Sequence, residues 1–271
     1  MMDDTHDILV IGDIHGQYEK LARLLQQAGL VDANLSWTGG ATTLWFMGDF
    51  FDRGPDGIAV VDLVMRLQNE ARAAGGNVQS LLGNHEVLLL AAQKLEEQLT
   101  GTGETFLSDW KRNGGQESDL ARLTQEHIDW ITSLPAMARV GTWLFVHADA
   151  TLYTKYGSSI EEVNHAFQSI LQGDDDNAAV WDQLLDDFSR REEFADWQPE
   201  GEQQARLFLR AFDARRLLHG HSPLHRSTAI SEVKAARVYA GGLCVNVDGG
   251  MYLGGPGFVY RLPRNGESDE T

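Results

Sequence analysis

Apolar and polar positions follow one pattern three times over the first third of the chain. Short apolar runs at 8–11, 42–47 and 78–82 are typical of buried strands, and each is closed by glycine and a polar residue. The apolar spacing after each run predicts a helix. We expect the first helix to end at Gly29 and the second to begin near Pro55. This repetition predicts an α/β fold with a loop at the carboxyl end of each strand.

The middle and the end of the chain have other patterns. Residues from about 91 to 139 and from about 158 to 212 are expected to be mostly helical, with an acidic turn at GDDDN. Another strand is predicted at 142–146. Glycine-rich runs between about 237 and 262 predict a terminal antiparallel meander, and 264–271 is expected to be disordered. We therefore expect one domain over 1–263 with two helical insertions.

Charge and cysteine content narrow the functional classes. There are 22 basic and 40 acidic residues, a formal net charge of −18, which repels nucleic acid. Any phosphate chemistry then needs a local positive centre, such as bound metal ions. The single cysteine, Cys244, excludes a disulfide within the chain and a cysteine-rich metal site. We find no secretory signal and no apolar run long enough for a membrane span, so a cytoplasmic location without a membrane partner is expected.

Candidate metal ligands follow five of the strand-like runs. The loops GDIHG, GDFFDRG, GNHE, FVHAD and LHGHSP all carry aspartate, asparagine or histidine. One Gly-Asp pair alone is usually a turn, because glycine supplies unusual dihedral angles and aspartate caps the next helix. If the five strands share a sheet, however, their loops converge at one edge. Converging carboxylates repel one another and lose hydration, and divalent cations remove that cost.

These motifs resemble those of the calcineurin-like metallophosphoesterases, and among them the phosphoprotein phosphatase (PPP-type) family with its bacterial members. GDIHG, GDFFDRG and GNHE match the first three signatures of that family letter for letter and in order. FVHA and GHSP match its later histidine motifs, so the resemblance spans roughly residues 8–223. It implies a four-layer α/β/β/α sandwich with metal ions at one edge of two packed sheets.

The resemblance also implies which side chains hold two divalent ions. The first ion would take Asp13, His15 and Asp49, and the second would take Asp49 as a bridge together with Asn84, His147 and His221. Such oxygen and imidazole donors suit manganese, with iron, zinc or nickel as alternatives. Two dications against two carboxylates leave a charge of about +2, which attracts phosphate, and a bridging hydroxide would attack phosphorus in line.

Three residues beside these ligands are assigned to the chemistry. Arg53 would bind phosphate oxygens through its planar guanidinium; the alternative is a surface ion pair with Glu86 or Asp56. His85 would protonate the leaving oxygen, with Asp52 fixing its tautomer and raising its pKa. The alternative for His85 is direct metal ligation.

Two positions in the later histidine motifs stay open. His221 fits the Gly-His-[Thr/Ser]-Pro pattern of the family, which leaves His219 a supporting or structural role. Asp149 stands where many relatives have glycine, so it either supports a ligand or narrows the pocket.

Substrate contacts are expected from the two insertions. The family offers a second phosphate-binding arginine, for which Arg190 in FSR is the nearest match, although Arg191 is adjacent. The loop KRNGGQ presents Asn113 to the substrate, or else its two glycines simply end a helix.

Three functions are compatible with these residues. The leading hypothesis is a PPP-type phosphatase acting on phosphoserine or phosphothreonine in proteins, and also on small phosphate esters. The alternative is a hydrolase resembling the symmetric diadenosine tetraphosphatases, which share GDxHG and GNH but generally lack the aspartate of DRG. A phosphate-binding scaffold without activity is the third, and intact His85, Asp52 and Arg53 argue against it.

Overall fold

The computed structural model describes residues 7–173, 177–224 and 232–263. In these ranges the strands are β1 (Ile8–Ile11), β2 (Thr43–Phe46), β3 (Asn77–Ser80), β4 (Met137–Val140), β5 (Trp143–Val146), β6 (Arg216–His219), β7 (Arg237–Tyr239), β8 (Cys244–Asn246) and β9 (Tyr260–Arg261). The helices are α1 (Tyr18–Gln27), α2 (Gly57–Ala73), α3 (Asn84–Leu95), α4 (Phe106–Arg112), α5 (Glu117–Arg122), α6 (Gln125–Ser133), α7 (Ile160–Gln172), α8 (Ala178–Phe188) and α9 (Gly201–Ala211). The centre of the GDDDN turn and residues 264–271 lie outside the described ranges.

The first sheet contains the three strand–loop–helix units that the sequence predicts. Its strand order is β3-β2-β1-β9, and β1, β2 and β3 run parallel. The helix after β2, α2, begins at Gly57. The side chain of the preceding residue, Asp56, accepts the Ala59 N–H at 2.8 Å and so caps this helix. Because parallel strands present their carboxyl ends at one edge, the first three motif loops meet there.

The second sheet has the order β4-β5-β6-β8-β7, with β5, β6 and β8 parallel. The predicted terminal antiparallel meander is therefore wrong. Within the tail, β7 and β8 form an antiparallel hairpin around a short turn with positive φ at Gly241 and Gly242. The segment 247–259 is too long for another tight hairpin, and it carries β9 across to the free edge of β1 in the first sheet.

The two sheets pack face to face through alternating strand residues. Val10 and Trp45 of the first sheet share a buried cluster with Phe145, Leu218 and Val245 of the second. The Trp45 and Phe145 rings meet edge to face with centroids 5.4 Å apart. The five motif loops thus come from two packed sheets, three from the first and two from the second, and not from a single sheet.

The opposite faces of both sheets are covered by helices. Ile11, Leu44 and Phe46 point away from the other sheet and belong to the larger core, which also contains Leu21 of α1 and Val61 of α2. This gives the mixed α/β sandwich expected from the sequence. Across the described ranges, the helices are all too short or too polar to traverse a lipid bilayer.

Candidate metal centre and active site

Several residues of the motif loops hold the backbone in the left-handed region. Their φ values lie between 49° and 66°, and they are His15, Asp49, Asp52, Arg53 and His221. Such backbone is uncommon outside glycine and persists where surrounding contacts impose it. One of those contacts is the close approach of Gly83, where a Cβ would lie 2.3 Å from the Asp49 nitrogen. The loops therefore hold their side chains in fixed directions.

Asp49 lies between two groups of histidines. Its Oδ2 is 3.5 Å from His15 Nε2, and its Oδ1 is 3.3 Å from His147 Nε2. Burial raises the pKa of Asp49, but the neighbouring His147 and His85 outweigh it and hold that pKa well below the ordinary value. An ionised carboxylate with one oxygen toward each group has the arrangement that a bridging ligand needs.

His15 and Asp13 lie on one side of Asp49. The Nδ1–H of His15 donates to the Phe51 carbonyl at 2.9 Å, so Nε2 carries the lone pair toward Asp49. Burial lowers the pKa of His15 well below its usual value, which keeps the imidazole neutral. Asp13 Oδ2 is 4.0 Å from His15 Nε2, and both Asp13 oxygens accept the His221 N–H at 3.0 Å.

His147, Asn84 and His221 lie on the other side of Asp49. His147 Nδ1 donates to the Met47 carbonyl at 2.8 Å, while His147 Nε2 is 3.0 Å from Asn84 Oδ1 and 3.1 Å from His221 Nδ1. Burial lowers the pKa of His147, but the Asp49 and Asp13 carboxylates raise it overall to about 9. A metal ion bound here would have to displace that proton.

All six predicted metal ligands are buried. Two overlapping groups have ligand atoms within 4.8 Å of one another, His15 with Asp49 and His85, and Asp49 with His147 and His221. Asp49 is common to both groups. The first of these groups also keeps open the alternative of His85 as a direct ligand.

One carboxylate oxygen of Asp52 binds His85, and the other binds Trp110 of helix α4 in the first insertion. The His85 Nδ1–H donates to Asp52 Oδ2 at 2.6 Å, and Trp110 Nε1 donates to Asp52 Oδ1 at 2.7 Å. Burial and the Arg53 charge outweigh the attraction of Asp49 and lower the pKa of His85 to about 4. The expected rise in the pKa of His85 is therefore wrong, because burial of the imidazole has the larger effect. Burial likewise raises the pKa of Asp52.

Arg53 spans the imidazoles at the front of the site. Its Nη1 donates to His15 Nε2 and its Nη2 to His85 Nε2, both at 2.8 Å. The guanidinium lies 4.3 Å from the centroid of the Tyr252 ring. Its backbone N–H donates to the Gly114 carbonyl at 2.7 Å. The arginine is thus held from three directions.

The alternative ion pairs for Arg53 are occupied by other partners. Glu86 accepts the backbone N–H groups of Asp49, Phe50 and Gly83 at 2.8 to 2.9 Å. Burial and the Asp49 charge raise the pKa of Glu86 to about 7. Asp56 caps α2 and pairs with Arg122 at 2.8 Å. Glu86 therefore fixes the loop of Asp49.

The two arginines after α8 differ in their surroundings. Arg190 pairs with Asp187 at 3.7 Å and with Glu193 at 3.6 Å. Arg191 instead donates to the His221 carbonyl at 3.5 Å, and its charge lowers the pKa values of His85 and His221 in addition to the effect of burial. The structure thus brings Arg191, and not the expected Arg190, to the metal centre.

Asp149 and His219 belong to one buried network. The Tyr239 hydroxyl donates to Asp149 Oδ2 at 2.6 Å and lies 2.7 Å from His219 Nε2. Asp149 Oδ1 accepts the Glu192 N–H at 2.8 Å. Asp149 therefore anchors the loop that carries Arg191, and His219 supports this anchor.

The KRNGGQ segment contains the last two residues of α4 and the loop that follows it. Asn113 is the C-cap of that helix, and its side chain donates to the Asp109 carbonyl at 2.9 Å. The helix therefore ends in this loop, as one of the two interpretations expects, and a contact of Asn113 with substrate stays a prediction. The adjoining Gly114 also contacts the Arg53 backbone, as described above, so the loop supports the arginine.

Sequence reasoning missed three residues that lie at or beside this site. Asp248 follows β8 in NVDGG, the same strand-end pattern as the other loops, and that pattern could have revealed it. Trp110 and Tyr252 have no comparable signal, because their relation to Asp52 and Arg53 depends on the packing of distant segments.

Comparisons with known proteins show the family and the fold of this chain. The model of the calcineurin-like phosphoesterase family matches residues 6–225. A segment is 38% identical over 81 residues, 30% of this chain, to "Shewanella-like protein phosphatase 2" of Arabidopsis thaliana. Another is 30% identical over 144 residues, 51% of this chain, to "Bis(5'-nucleosyl)-tetraphosphatase, symmetrical" of Neisseria gonorrhoeae. The matches span 21% and 41% of the length of these two relatives.

A solved structure shares the fold over nearly the whole chain. It is that of a "Cold-Active Protein-Tyrosine Phosphatase of a Psychrophile Shewanella SP.", with a TM-score of 0.72 and 22% identity. The alignment covers 98% of this chain and 78% of that one.

Proposed function

The chain belongs to the calcineurin-like phosphoesterase family, and from that premise we propose that it is a divalent-metal-dependent phosphatase that hydrolyses phosphate monoesters. The observation that carries the proposal is the position of Asp49, with one oxygen toward His15 and the other toward His147. A carboxylate in that position can be shared by two cations.

The chemistry of the buried donors fits two such ions. Asp13, His15 and Asp49 would hold one ion, and Asp49, Asn84, His147 and His221 would hold the other. Imidazole, amide and carboxylate donors suit manganese, iron, zinc or nickel, and we take manganese as the first choice. When bound, the ions supply an activated water and offset the negative charge of phosphate.

Two arginines would bind the phosphate oxygens. Arg53 presents a planar guanidinium that packs on the Tyr252 ring, and its backbone is fixed by the hydrogen bond to the Gly114 carbonyl. Such a planar fork matches phosphate geometry. Arg191 is the second arginine that we assign, in place of Arg190, whose contacts are with Asp187 and Glu193.

His85 would hold the proton for the leaving oxygen. Its Nδ1 is engaged by Asp52, so Nε2 is the atom available to the substrate. With a pKa of about 4, His85 is neutral near pH 7. A phosphate dianion beside it raises that pKa, so the proton becomes available only when substrate is bound.

Phosphoserine or phosphothreonine in proteins is the substrate class that we favour. The Asp52–His85 pair supports this choice, since it is the feature by which PPP-type motifs differ from those of the tetraphosphatases. A dinucleoside tetraphosphate is the second candidate, because the match to the Neisseria tetraphosphatase covers more of this chain than the match to the Arabidopsis phosphatase.

One assay distinguishes these substrates. The manganese-loaded protein would be given a phosphothreonine peptide, a phosphotyrosine peptide and diadenosine tetraphosphate in the same buffer, and kcat/KM compared. We expect the highest value for the phosphothreonine peptide. A preference for the tetraphosphate would establish the second candidate. A metal-loaded protein that binds inorganic phosphate and cleaves none of them would be a scaffold, and the proposal would be wrong.

A further inference from the structure

Asp248 is a fully buried carboxylic acid just beyond β8. Its backbone N–H donates to Asn246 Oδ1 at 2.8 Å, and its carbonyl accepts the Leu224 N–H at 3.1 Å. Its Oδ1 accepts the Gly250 N–H at 2.9 Å. Its Oδ2 has no hydrogen-bond partner among the described residues. A buried carboxylate oxygen without a partner is costly, so its retention here needs an explanation.

The surroundings of Asp248 are those of the metal centre. A Cβ on Gly12, the residue before Asp13, would lie 3.0 Å from the Asp248 Cα. Burial raises the pKa of Asp13, and the charge of Asp248 is the next largest cause of that rise. In addition to burial, the charges of Asp49, His147 and Arg53 influence the pKa of Asp248. Asp248, with its unpartnered buried oxygen, thus lies directly against the strand-end loop that carries Asp13.

We propose that Asp248 is a further carboxylate of the metal centre, which strengthens binding of the divalent ion assigned to Asp13, His15 and Asp49. This inference rests on the proposed function. A third acidic group would reduce the net charge of the loaded centre from about +2 to about +1 and hold the ions more tightly. The cation would offset the repulsion between Asp248 and Asp13 and would give Asp248 Oδ2 the partner that it lacks.

The competing explanation is that Asp248 is a neutral acid that only shapes the NVDGG loop. The isosteric substitution Asp248→Asn separates the two, because an amide oxygen can still accept the Gly250 N–H but carries no charge. Asp119→Asn is a matched control. Asp119 is also fully buried, and within the described ranges its side chain accepts the backbone N–H groups of Gly57 and Ile58.

The experiment is calorimetric titration of Mn²⁺ into the chelator-treated full chain, with metal content measured after dialysis. We expect Asp248→Asn to bind one Mn²⁺ about tenfold to a hundredfold more weakly than the wild type. Asp119→Asn should retain the wild-type affinities. Unchanged affinities in a folded Asp248→Asn protein would overturn the inference and leave the proposed function intact. A wild-type chain that binds no Mn²⁺ would overturn both.

A second measurement decides the matter if Asp248→Asn does not fold. In a crystal structure of the wild type soaked in Mn²⁺, Asp248 Oδ2 should either coordinate an ion directly or accept a hydrogen bond from a water molecule bound to an ion. A distance of more than about 6 Å from both ions would exclude either contact and overturn the inference.

Discussion

The Nδ1–H of His85 donates to Asp52 Oδ2 at 2.6 Å, while the other Asp52 oxygen is held by Trp110 from the first helical insertion. Both Asp52 oxygens are therefore occupied. The imidazole can neither rotate nor exchange tautomers without breaking a buried hydrogen bond. Its Nε2 consequently has one direction available, toward Arg53 and the phosphate that we assign to it.

His85→Asn should retain two metal ions but lose most turnover. Loss of a general acid costs about a hundredfold to ten-thousandfold in rate, and the loss is greatest for a poor leaving group. The measurement is kcat for phenyl phosphate against p-nitrophenyl phosphate, beside metal content. Unchanged turnover of phenyl phosphate would contradict the role of His85, and loss of metal would favour the alternative of direct ligation.

Trp110→Phe should lower kcat without changing metal content. The substitution removes the donor to Asp52 Oδ1 and leaves a buried carboxylate oxygen unpaired, at a cost of about 1–3 kcal/mol, so we expect about a tenfold loss. Trp130→Phe is the control, because Trp130 donates to Gln68, away from the site. Equal kcat values for the two variants would show that Asp52 needs no support from the insertion.

Asp49→Asn should abolish metal binding at both positions and, with it, activity. Asn keeps the shape of the side chain but removes the charge that the two histidine groups share. Elemental analysis after loading with Mn²⁺ measures the stoichiometry. A variant that still holds two ions per chain would be incompatible with a bridging role for Asp49.

Arg191→Ala and Arg190→Ala should behave differently. Loss of a charged hydrogen bond to phosphate costs about 1.5–3 kcal/mol, so Arg191→Ala should lower kcat/KM about tenfold to a hundredfold. Arg190→Ala removes only half-exposed ion pairs and should have little effect. Steady-state kinetics with a phosphopeptide make the comparison. The reverse order of effects would restore Arg190 as the phosphate ligand.

Asp119→Ala should destabilise the fold by about 1–3 kcal/mol, because it leaves the buried N–H groups at the start of α2 without an acceptor. Burial raises the pKa of Asp119 from 3.8 to about 6. The folded state thus favours the protonated form, and the stabilising contribution of Asp119 is greatest below about pH 4 and falls as the pH rises through 6. Urea unfolding of both proteins at pH 4 and pH 7 tests this. A difference that grows with pH would contradict the assignment.

Much of the fold was predictable because its signals are local. The spacing of apolar residues located β1, β2 and β3 and the helices after them, and the glycine–polar pairs located their loops. The tail was predicted wrongly, because strand-like runs do not specify their partners. β8 pairs with β6 and β9 pairs with β1, and both pairings depend on contacts far apart in the chain.

The sequence by itself determined the candidate ligand types, the loops that carry them and the family, since these depend on residue identity and order. The tertiary structure alone decided that Asp49 faces His15 and His147. It also decided that Arg191 contacts the His221 carbonyl while Arg190 pairs with Asp187 and Glu193, and that Trp110 donates to Asp52. Such relations arise when two sheets and an insertion pack together, because side-chain direction and burial depend on neighbours that no local pattern encodes.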